Sequence, residues 1–268
     1  MSMPQPRYTH GHHESVLRSH TWRTAENSAG YLLPHLRPGM SLLDVGCGPG
    51  TITIDLARRV APSRVVGIDP SAEVLEQARA AADEARADVE FLATGIDGWA
   101  HPSGPFDVVH AHQVLQHLPD PVVALRQMRS LCVPGGFVAA RDADYSGMFW
   151  YPRIPELDEW LRIYHDVARG NGGEPDAGRH LSAWARAAGF RDVTVTASIW
   201  CFASEPERRW WGGLWADRVV ASDLAEAALT QGRASRTDLG RIADGWRRWV
   251  GAPDAFFAVP HAEILCRP

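Results

Sequence analysis

The stretch that decides the fold is residues 42–50, which read LLDVGCGPG. Four residues of strand character run directly into a turn with glycines at positions 46, 48 and 50, and a helical pattern follows from Ile52. Glycines in such a turn let the backbone bend sharply and let a ligand approach main-chain N–H groups without a Cβ in the way. This order of strand, glycine turn and helix predicts a nucleotide-like ligand.

Apolar runs alternate with helical segments on the C-terminal side of this turn, as in the βαβ units of a parallel sheet with helices on both faces. The expected strands are residues 41–45, 64–68, 89–93, 106–110 and 136–140, and the expected helices are near 52–60, 71–85 and 121–131. The alternation stops after Asp144. It resumes with a helix at 177–188, a strand at 192–202, a helical stretch at 206–249 and a last strand at 256–266.

These patterns divide the chain into four parts. Residues 1–40 are expected to form an N-terminal helical lid with one or two helices between 14 and 36, and residues 41–145 form the ligand-binding core. Residues 146–176 are a cap insertion. Residues 177–268 complete the sheet and carry a helical insertion at about 205–250.

The spacing of the glycines bears on the ligand. The dinucleotide-binding fingerprint places its third glycine at position 51, where this chain has Thr51, and the glycines here alternate instead. The acidic-x-G-x-G-x-G pattern that begins at Asp44 resembles the first motif of the class I S-adenosylmethionine-dependent methyltransferases. Three further matches follow in order: GID ending at Asp69, TGID ending at Asp97, and FDVV from Phe106, with PGG at 134–136 before the fifth strand.

The resemblance covers residues 14–144 well and residues 177–268 by architecture only, and it favours the group with the ubiquinone and menaquinone methyltransferases (methyltransferase types 11 and 25). It implies an α/β fold with a Rossmann-like, seven-stranded, mostly parallel sheet, an antiparallel last strand and helical cap insertions. S-adenosyl-L-methionine is the implied cofactor and S-adenosyl-L-homocysteine the product. In the family, the acid at Asp69 accepts from both ribose hydroxyls and Asp97 from the adenine amino group. The expected cofactor-binding residues are Asp44, Gly46, Cys47, Gly48, Gly50, Asp69, Pro70, Ile96, Asp97, His112 and Gln113.

Catalysis should need few residues, because this cofactor carries the activated methyl group. An oxygen, nitrogen or acidic carbon nucleophile must lose a proton, and the candidate bases are Tyr8, His12, His13 and His112. The first three lie on a segment that could fold over the cofactor mouth. The N-terminal histidines lack the Cys or carboxylate partners of an obvious metal site, so no metal is expected. Cys47 is expected to be a small apolar filler and His117 a structural residue at a helix start.

Composition limits the partners. The net charge of −5 gives no overall attraction to a phosphate backbone, so nucleic acid is not expected. The chain has no lysine, which excludes Schiff-base chemistry by the enzyme. Four scattered cysteines and the absence of a signal-like or membrane-spanning stretch favour a soluble, cytoplasmic protein. The oligomeric state is open and compatible with a homodimer.

The expected function is methyl transfer to an O, N or C atom of a small molecule. This molecule is expected to be planar, or aromatic and hydrophobic, like a secondary metabolite or a quinone. Many of the eleven tryptophans fall in or beside the insertions, where those not in the core offer flat walls to such a molecule. Two alternatives stay open: a non-catalytic S-adenosylmethionine-binding protein and a nucleotide-dependent oxidoreductase. Methyltransferases of DNA or protein amides usually show NPPY or DPPY after the fourth strand, whereas this chain has AHQV from Ala111.

Overall fold

The structure, a computed structural model, describes residues 20–97 and 99–268. Its strands are β1 (Leu42–Val45), β2 (Val65–Asp69), β3 (Glu90–Ala93), β4 (Phe106–His112), β5 (Cys132–Ala143), β6 (Phe149–Tyr151), β7 (Asp192–Phe202) and β8 (Phe256–Arg267). Its α-helices are α1 (Ala25–Ser28), α2 (Thr51–Val60), α3 (Ala72–Ala85), α4 (Pro121–Ser130), α5 (Pro155–Gly170), α6 (Ala177–Ala187), α7 (Glu205–Ala221), α8 (Asp223–Thr230) and α9 (Arg236–Gly251). Three short 3-10 helices lie at Leu33–His35, Leu115–His117 and Tyr145–Gly147.

Two of the three core helices, α3 and α4, begin at residues whose side chains cap free backbone N–H groups. The Ser71 hydroxyl accepts from the N–H of Val74 at the start of α3, and the Asp120 carboxylate accepts from the N–H of Val123 at the start of α4. Pro121 follows Asp120, where its missing N–H costs nothing. These local signals explain why the expected bounds of the core helices agree with the observed ones to within one residue at each end.

The central sheet has the order β3-β2-β1-β4-β5-β8, and β7 pairs with the other edge of β8. Strands β1 to β5 pair in parallel, whereas β8 is antiparallel to both β5 and β7. The strand order reverses between β1 and β4, and ligands of open α/β sheets bind at the carboxyl ends of the strands at such a point. The expected Rossmann-like fold with an antiparallel last strand is confirmed.

One strand more than the expected seven is present. The three residues of β6 fall within the expected cap insertion and pair with Phe256–Ala258 of β8. Strand β7 pairs with one edge of β8. Strands β5 and β6 both pair with the other edge, and β6 follows β5 along β8 after the turn at Tyr145–Gly147. A strand of three residues is too short to show an alternating pattern in the sequence.

The two insertions pack against each other over one aromatic core. The Trp160 ring of α5 lies 4.5 Å from the Trp215 ring of α7 and 5.0 Å from the Trp246 ring of α9, centre to centre. Trp249 is also fully buried. Residues about 50 to 90 positions apart therefore cover the carboxyl ends of the strands together, and these four tryptophans belong to one core cluster.

The N-terminal region, where one or two helices are expected, is described from residue 20 onward. His20 and Thr21 are helical, and the one-turn helix α1 and the 3-10 turn Leu33–His35 follow before residue 40. Within residues 20–97 and 99–268, no helix has both the length and the apolar character that crossing a membrane requires.

Candidate cofactor and acceptor site

The glycine turn between β1 and α2 has one packed side and one open side. Gly46, Gly48 and Gly50 all have positive φ, at 64°, 54° and 78°. A Cβ on Gly46 would lie 2.5 Å from the Val114 Cγ2 atom, whereas a Cβ on Gly48 would meet nothing within 4 Å. Gly46 thus permits close packing against the loop after β4. The open space at Gly48 is the side from which a ligand can approach the backbone.

This asymmetry gives a prediction for two alanine variants. Gly48→Ala should cost about 1–2 kcal/mol of folding stability, from the left-handed backbone alone, but should weaken S-adenosylhomocysteine binding more than tenfold because the methyl occupies the ligand side. Gly46→Ala adds a clash with Val114 and should lower the stability further, by about 3 kcal/mol in all. Urea unfolding and calorimetric titration measure the two effects separately. Equal binding by wild type and Gly48→Ala would contradict the assignment of the open side.

Asp69 joins the end of β2 to the glycine turn. Its Oδ2 atom accepts a hydrogen bond of 3.1 Å from the Gly48 N–H, and its Oδ1 atom accepts one of 2.9 Å from the Ser71 N–H. The half-buried carboxylate is thereby held at the mouth of the turn. A carboxylate with two acceptor oxygens can also accept from two adjacent hydroxyls, as the resemblance implies for a ribose.

The other expected residues around this turn differ in exposure. Pro70 and Asp97 are exposed, whereas Ile96 is 6% exposed and packs in a core cluster with Leu43 and Val45. The Thr94 N–H donates to the Asp69 carbonyl, so the loop after β3 and the end of β2 lie side by side. The structure thus gathers these residues at the edge where the cofactor's adenosine is expected.

Asp44 lies beneath the glycine turn with both carboxylate oxygens bonded inside the protein. Its Oδ2 atom accepts from the Thr53 hydroxyl at 2.5 Å, and its Oδ1 atom lies 2.8 Å from the His110 Nδ1 atom. Since a carboxylate only accepts, His110 donates from Nδ1. Asp44 therefore ties β1, α2 and β4 together and sets the position of the turn.

Cys47 is 8% exposed within the turn. Burial raises the pKa of its thiol above the ordinary value, and the neighbouring carboxylates of Asp44 and Asp69 raise it further. The thiol is neutral at pH 7 and therefore a poor nucleophile. This fits the expected role as a small filler.

A second feature lies beyond the carboxyl ends of β4 and β5, where aromatic side chains enclose a cavity of about 30 Å³. Trp22 forms one wall, with its ring centre 5.2 Å from that of Trp200 and 5.3 Å from that of Trp210. The cavity is lined by His20, Trp22, Arg23, Gln113, His117, Ala143, Tyr145, Met148, Trp200, Trp210, Trp211, Trp215, Arg218 and Val259. This volume holds about one water molecule, so a larger ligand requires a wall to move.

Gln113 connects the cavity to the end of β4. It has a positive φ of 53°, its Oε1 atom accepts from Arg23 at 2.6 Å, and its Nε2 atom lies 2.8 Å from the His261 Nε2 atom. A left-handed backbone at a residue other than glycine is strained and is often found at functional sites. The amide is therefore held in one orientation beside the cavity.

His112 lies behind this wall and does not line the cavity. Its ring centre is 5.7 Å from that of Trp200 and 6.2 Å from that of His261, and neither nitrogen has a hydrogen-bond partner in the part of the chain described. Burial lowers the pKa of His112 well below the ordinary value, with the nearby Arg23 charge acting in the same direction. The imidazole is therefore neutral at pH 7.

Two further titratable groups near the cavity were not expected as functional residues. His117 lines the cavity, and burial together with Arg23 lowers its pKa to about 3. Asp142, at the end of β5, accepts from the Gln116 N–H at 3.1 Å, and burial raises its pKa to about 7. A carboxyl group that titrates near neutrality is suited to proton transfer. In the sequence, the available indication of this role was the position of Asp142 after a long apolar strand.

Three of the expected catalytic residues, Tyr8, His12 and His13, lie outside the described residues. Their role as candidate bases stays a prediction. Among residues 20–97 and 99–268, no group of three or more His, Cys, Asp or Glu side chains is arranged to hold a metal ion.

The methyltransferase-domain family matches residues 4–195 of this sequence. The chain belongs to this family. An uncharacterized methyltransferase of Schizosaccharomyces pombe is 35% identical over 278 residues, which cover 99% of this chain and 98% of that protein. A probable methyltransferase of Aspergillus luteorubrus is 30% identical over 276 residues, which cover 96% of each. The YcgJ protein of Bacillus subtilis has the same fold, with a TM-score of 0.57 at 18% identity over 96% of this chain and 99% of that one.

This methyltransferase uses S-adenosylmethionine as its methyl donor, as the resemblance implied. The residues present fit that cofactor in two respects. The backbone at Gly48 is open on one side, and the Asp69 carboxylate stands at the end of the neighbouring strand. Both features belong to the carboxyl edge of the sheet, where the strand order reverses.

Proposed function

We propose that this methyltransferase transfers a methyl group to an O, N or C atom of a small, planar aromatic or hydrophobic molecule that binds in the aromatic cavity. The observation that carries the proposal is the wall of indole rings from Trp22, Trp200 and Trp210, adjoining Gln113 at the end of β4. Flat indole faces bind planar rings with large apolar contact and little loss of side-chain freedom. Secondary metabolites and quinone-like molecules have this shape.

The cofactor would be held by the glycine turn and by Asp69, with Asp97 as the expected acceptor for the adenine. When bound, S-adenosylmethionine supplies a methyl group whose bond to the sulfonium sulfur breaks as the acceptor's electron pair forms the new bond, which leaves S-adenosylhomocysteine and a proton to be removed. The walls of the cavity align the acceptor and exclude water from it.

The acceptor's proton must pass to a base or to solvent. Asp142, His112 and His117 stand near the same strand ends. Burial raises the pKa of Asp142 to about 7, whereas the lowered pKa values of His112 and His117 make both imidazoles weak bases. Tyr8, His12 and His13 are the other candidates. We propose that one of these residues accepts the proton that the methyl acceptor loses.

Trp22 is the wall residue that we expect to open for the acceptor, because it precedes the one-turn helix α1 and is 36% exposed. Trp22→Ala should lower kcat about tenfold, since one indole surface is lost and water enters, and should leave S-adenosylhomocysteine binding within twofold. Trp22→Phe keeps a ring at this position and serves as the matched control.

The test uses a panel of planar phenols, hydroxyquinones and aromatic amines, with formation of S-adenosylhomocysteine as the readout. Methylation of a planar acceptor that slows in Trp22→Ala and is largely retained in Trp22→Phe supports the proposal. Transfer that is unaffected by Trp22→Ala would place the acceptor elsewhere. Cofactor binding without turnover on any acceptor would favour the non-catalytic alternative.

A further inference from the structure

Gln113 is held beside the aromatic cavity by three hydrogen bonds. Its backbone N–H donates to the Arg141 carbonyl at 2.7 Å. Its Oε1 atom accepts from Arg23 at 2.6 Å, and its Nε2 atom lies 2.8 Å from the His261 Nε2 atom. Because an arginine side chain only donates, the atom that faces Arg23 is the amide oxygen, and the atom that faces His261 is the amide nitrogen.

The protonation of His261 decides how this amide nitrogen is used. The His261 Nδ1 atom lies 3.0 Å from the Val259 carbonyl oxygen, which only accepts, so Nδ1 carries a hydrogen. Burial lowers the pKa of His261 well below its ordinary value, and the nearby Arg141 charge acts in the same direction. The imidazole is therefore neutral, and its Nε2 atom accepts one N–H from Gln113. Since His261 lies on β8 within the sheet, this end of the amide stays in place if Trp22 moves.

The amide nitrogen of Gln113 has a second N–H. A primary amide carries two donor hydrogens, and His261 is the one partner of this nitrogen within residues 20–97 and 99–268. Gln113 itself lines the cavity. One N–H donor at the end of β4 is therefore available to a ligand.

Trp211 supplies another donor, from α7. It is 6% exposed and lines the cavity, and its ring stacks on that of Phe202 with 4.4 Å between the ring centres. Its Nε1 atom is buried and has no hydrogen-bond partner in the part of the chain described. The Nε1 atoms of Trp160 and Trp246 are alike in this, but those two rings lie in the core and do not line the cavity. Because an indole N–H only donates, Trp211 offers a second donor to a ligand.

These two donors belong to the acceptor side of the site. The described lining that they share includes neither the glycine turn nor Asp69, the features that fit the cofactor. It also includes no Asp or Glu whose carboxylate would accept from them. Buried donors are nearly always hydrogen-bonded in native proteins, so a ligand of this cavity is expected to bring acceptor atoms.

We propose that Gln113 and Trp211 select the methyl acceptor by donating hydrogen bonds to oxygen atoms on its ring. The acceptor is then a planar aromatic molecule that carries a carbonyl, hydroxyl or ether oxygen, such as a hydroxyketone or a hydroxyquinone. This inference rests on the proposed function, since it specifies the acceptor of the same site. A molecule of the same shape without the oxygen is rejected, because it covers the two donors and leaves them unpaired.

The test compares matched probes by isothermal titration calorimetry in the presence of S-adenosylhomocysteine. The probes 1-indanone and indane differ by a carbonyl oxygen, and 2-naphthol and naphthalene differ by a hydroxyl oxygen. We expect the oxygen-bearing member of at least one pair to bind about ten times more tightly than the hydrocarbon. The pair that responds identifies the kind of oxygen.

Variants that remove one donor each locate the effect. Trp211→Phe keeps an aromatic ring without an N–H, and Gln113→Met keeps a side chain of similar length without an amide. Each should weaken binding of the oxygen-bearing probe about five- to tenfold and leave binding of the hydrocarbon within twofold. Trp184→Phe on α6 and Gln77→Met on α3 lie outside the described lining, are the matched controls, and should change neither.

Folding and cofactor binding are measured in every variant, because the resemblance places Gln113 among the cofactor-binding residues. Circular dichroism reports folding, and calorimetric titration with S-adenosylhomocysteine should give a Kd within twofold of wild type. If Gln113→Met does not fold, Trp211→Phe and Gln113→Glu, whose carboxylate cannot donate, supply the same comparison.

The outcomes separate the inference from the proposed function. A hydrocarbon that binds as tightly as its oxygen-bearing partner, or an oxygen preference that survives both variants, would overturn the inference and leave an aromatic acceptor in place. A tenfold loss of S-adenosylhomocysteine binding with an unchanged oxygen preference would assign the donors to the cofactor and also overturn it. If no probe of either pair binds while S-adenosylhomocysteine does, the aromatic acceptor itself is wrong and the inference falls with it.

Discussion

Asp69→Ala is expected to remove most of the stabilisation that S-adenosylhomocysteine gives to the native protein. A ligand present at 100 times its Kd adds about 2.7 kcal/mol to the stability, which corresponds to a rise in Tm of about 5–10 °C for a chain of this size. Loss of two hydrogen bonds to a charged carboxylate should weaken binding about 100-fold. At the same ligand concentration the rise in Tm should then fall to about 1–2 °C.

Part of this effect is indirect, because the Asp69 carboxylate also accepts from Gly48 and Ser71. Without it, the glycine turn loses its tie to the end of β2. Glu76→Ala, an exposed acid on α3, is the matched control and should leave the shift unchanged. A full shift in Asp69→Ala would show that Asp69 does not bind the ribose. A shift with NAD but not with S-adenosylhomocysteine would contradict the cofactor.

Asp44→Ala should lower the free energy of unfolding by about 3 kcal/mol, or Tm by about 6–12 °C. The carboxylate is 3% exposed and is bonded to Thr53 and His110, so its removal leaves both partners buried without it and opens a cavity beneath the turn. Urea unfolding monitored by circular dichroism measures the loss.

Asp44→Asn is the matched control for shape. Its amide can still bond to Thr53 and His110, so we expect a loss of about 1 kcal/mol. Equal losses in Asn and Ala variants would mean that the negative charge itself, rather than the pair of hydrogen bonds, holds the turn. A loss below about 1 kcal/mol in Asp44→Ala would contradict the positioning role.

The core of the fold could be predicted because its signals are local. The alternation of apolar runs and helical patterns between residues 41 and 143 follows from side-chain periodicity, and capping residues such as Ser71 and Asp120 mark where the helices begin. The single helical stretch expected at 206–249 is instead three helices. The break at Ser222 is the C-cap of α7 and the N-cap of α8, and no proline or glycine marks it.

The candidate acceptor site could be predicted only in part. The ends of β4 and β5 were identifiable as the ligand edge of the sheet, and Gln113 falls there. Arg218 carries no motif, and nothing in its sequence neighbours distinguishes it from Arg208 and Arg209 of the same helix. Its burial beside the cavity depends on the face of the helix that it occupies and on what packs against that face.

By itself, the sequence determined the glycine turn, the order of strands and helices, and the S-adenosylmethionine-dependent methyltransferase family, because each follows from residues close together in the chain. The tertiary structure alone decided which side chains enclose the cavity. Trp22, Gln113, Trp200 and Arg218 meet there from four segments, and the Trp200 indole donates to the Asn27 carbonyl 173 residues away. Such contacts arise from the packing of the two insertions over the sheet, and packing at that separation leaves no periodic trace in the sequence.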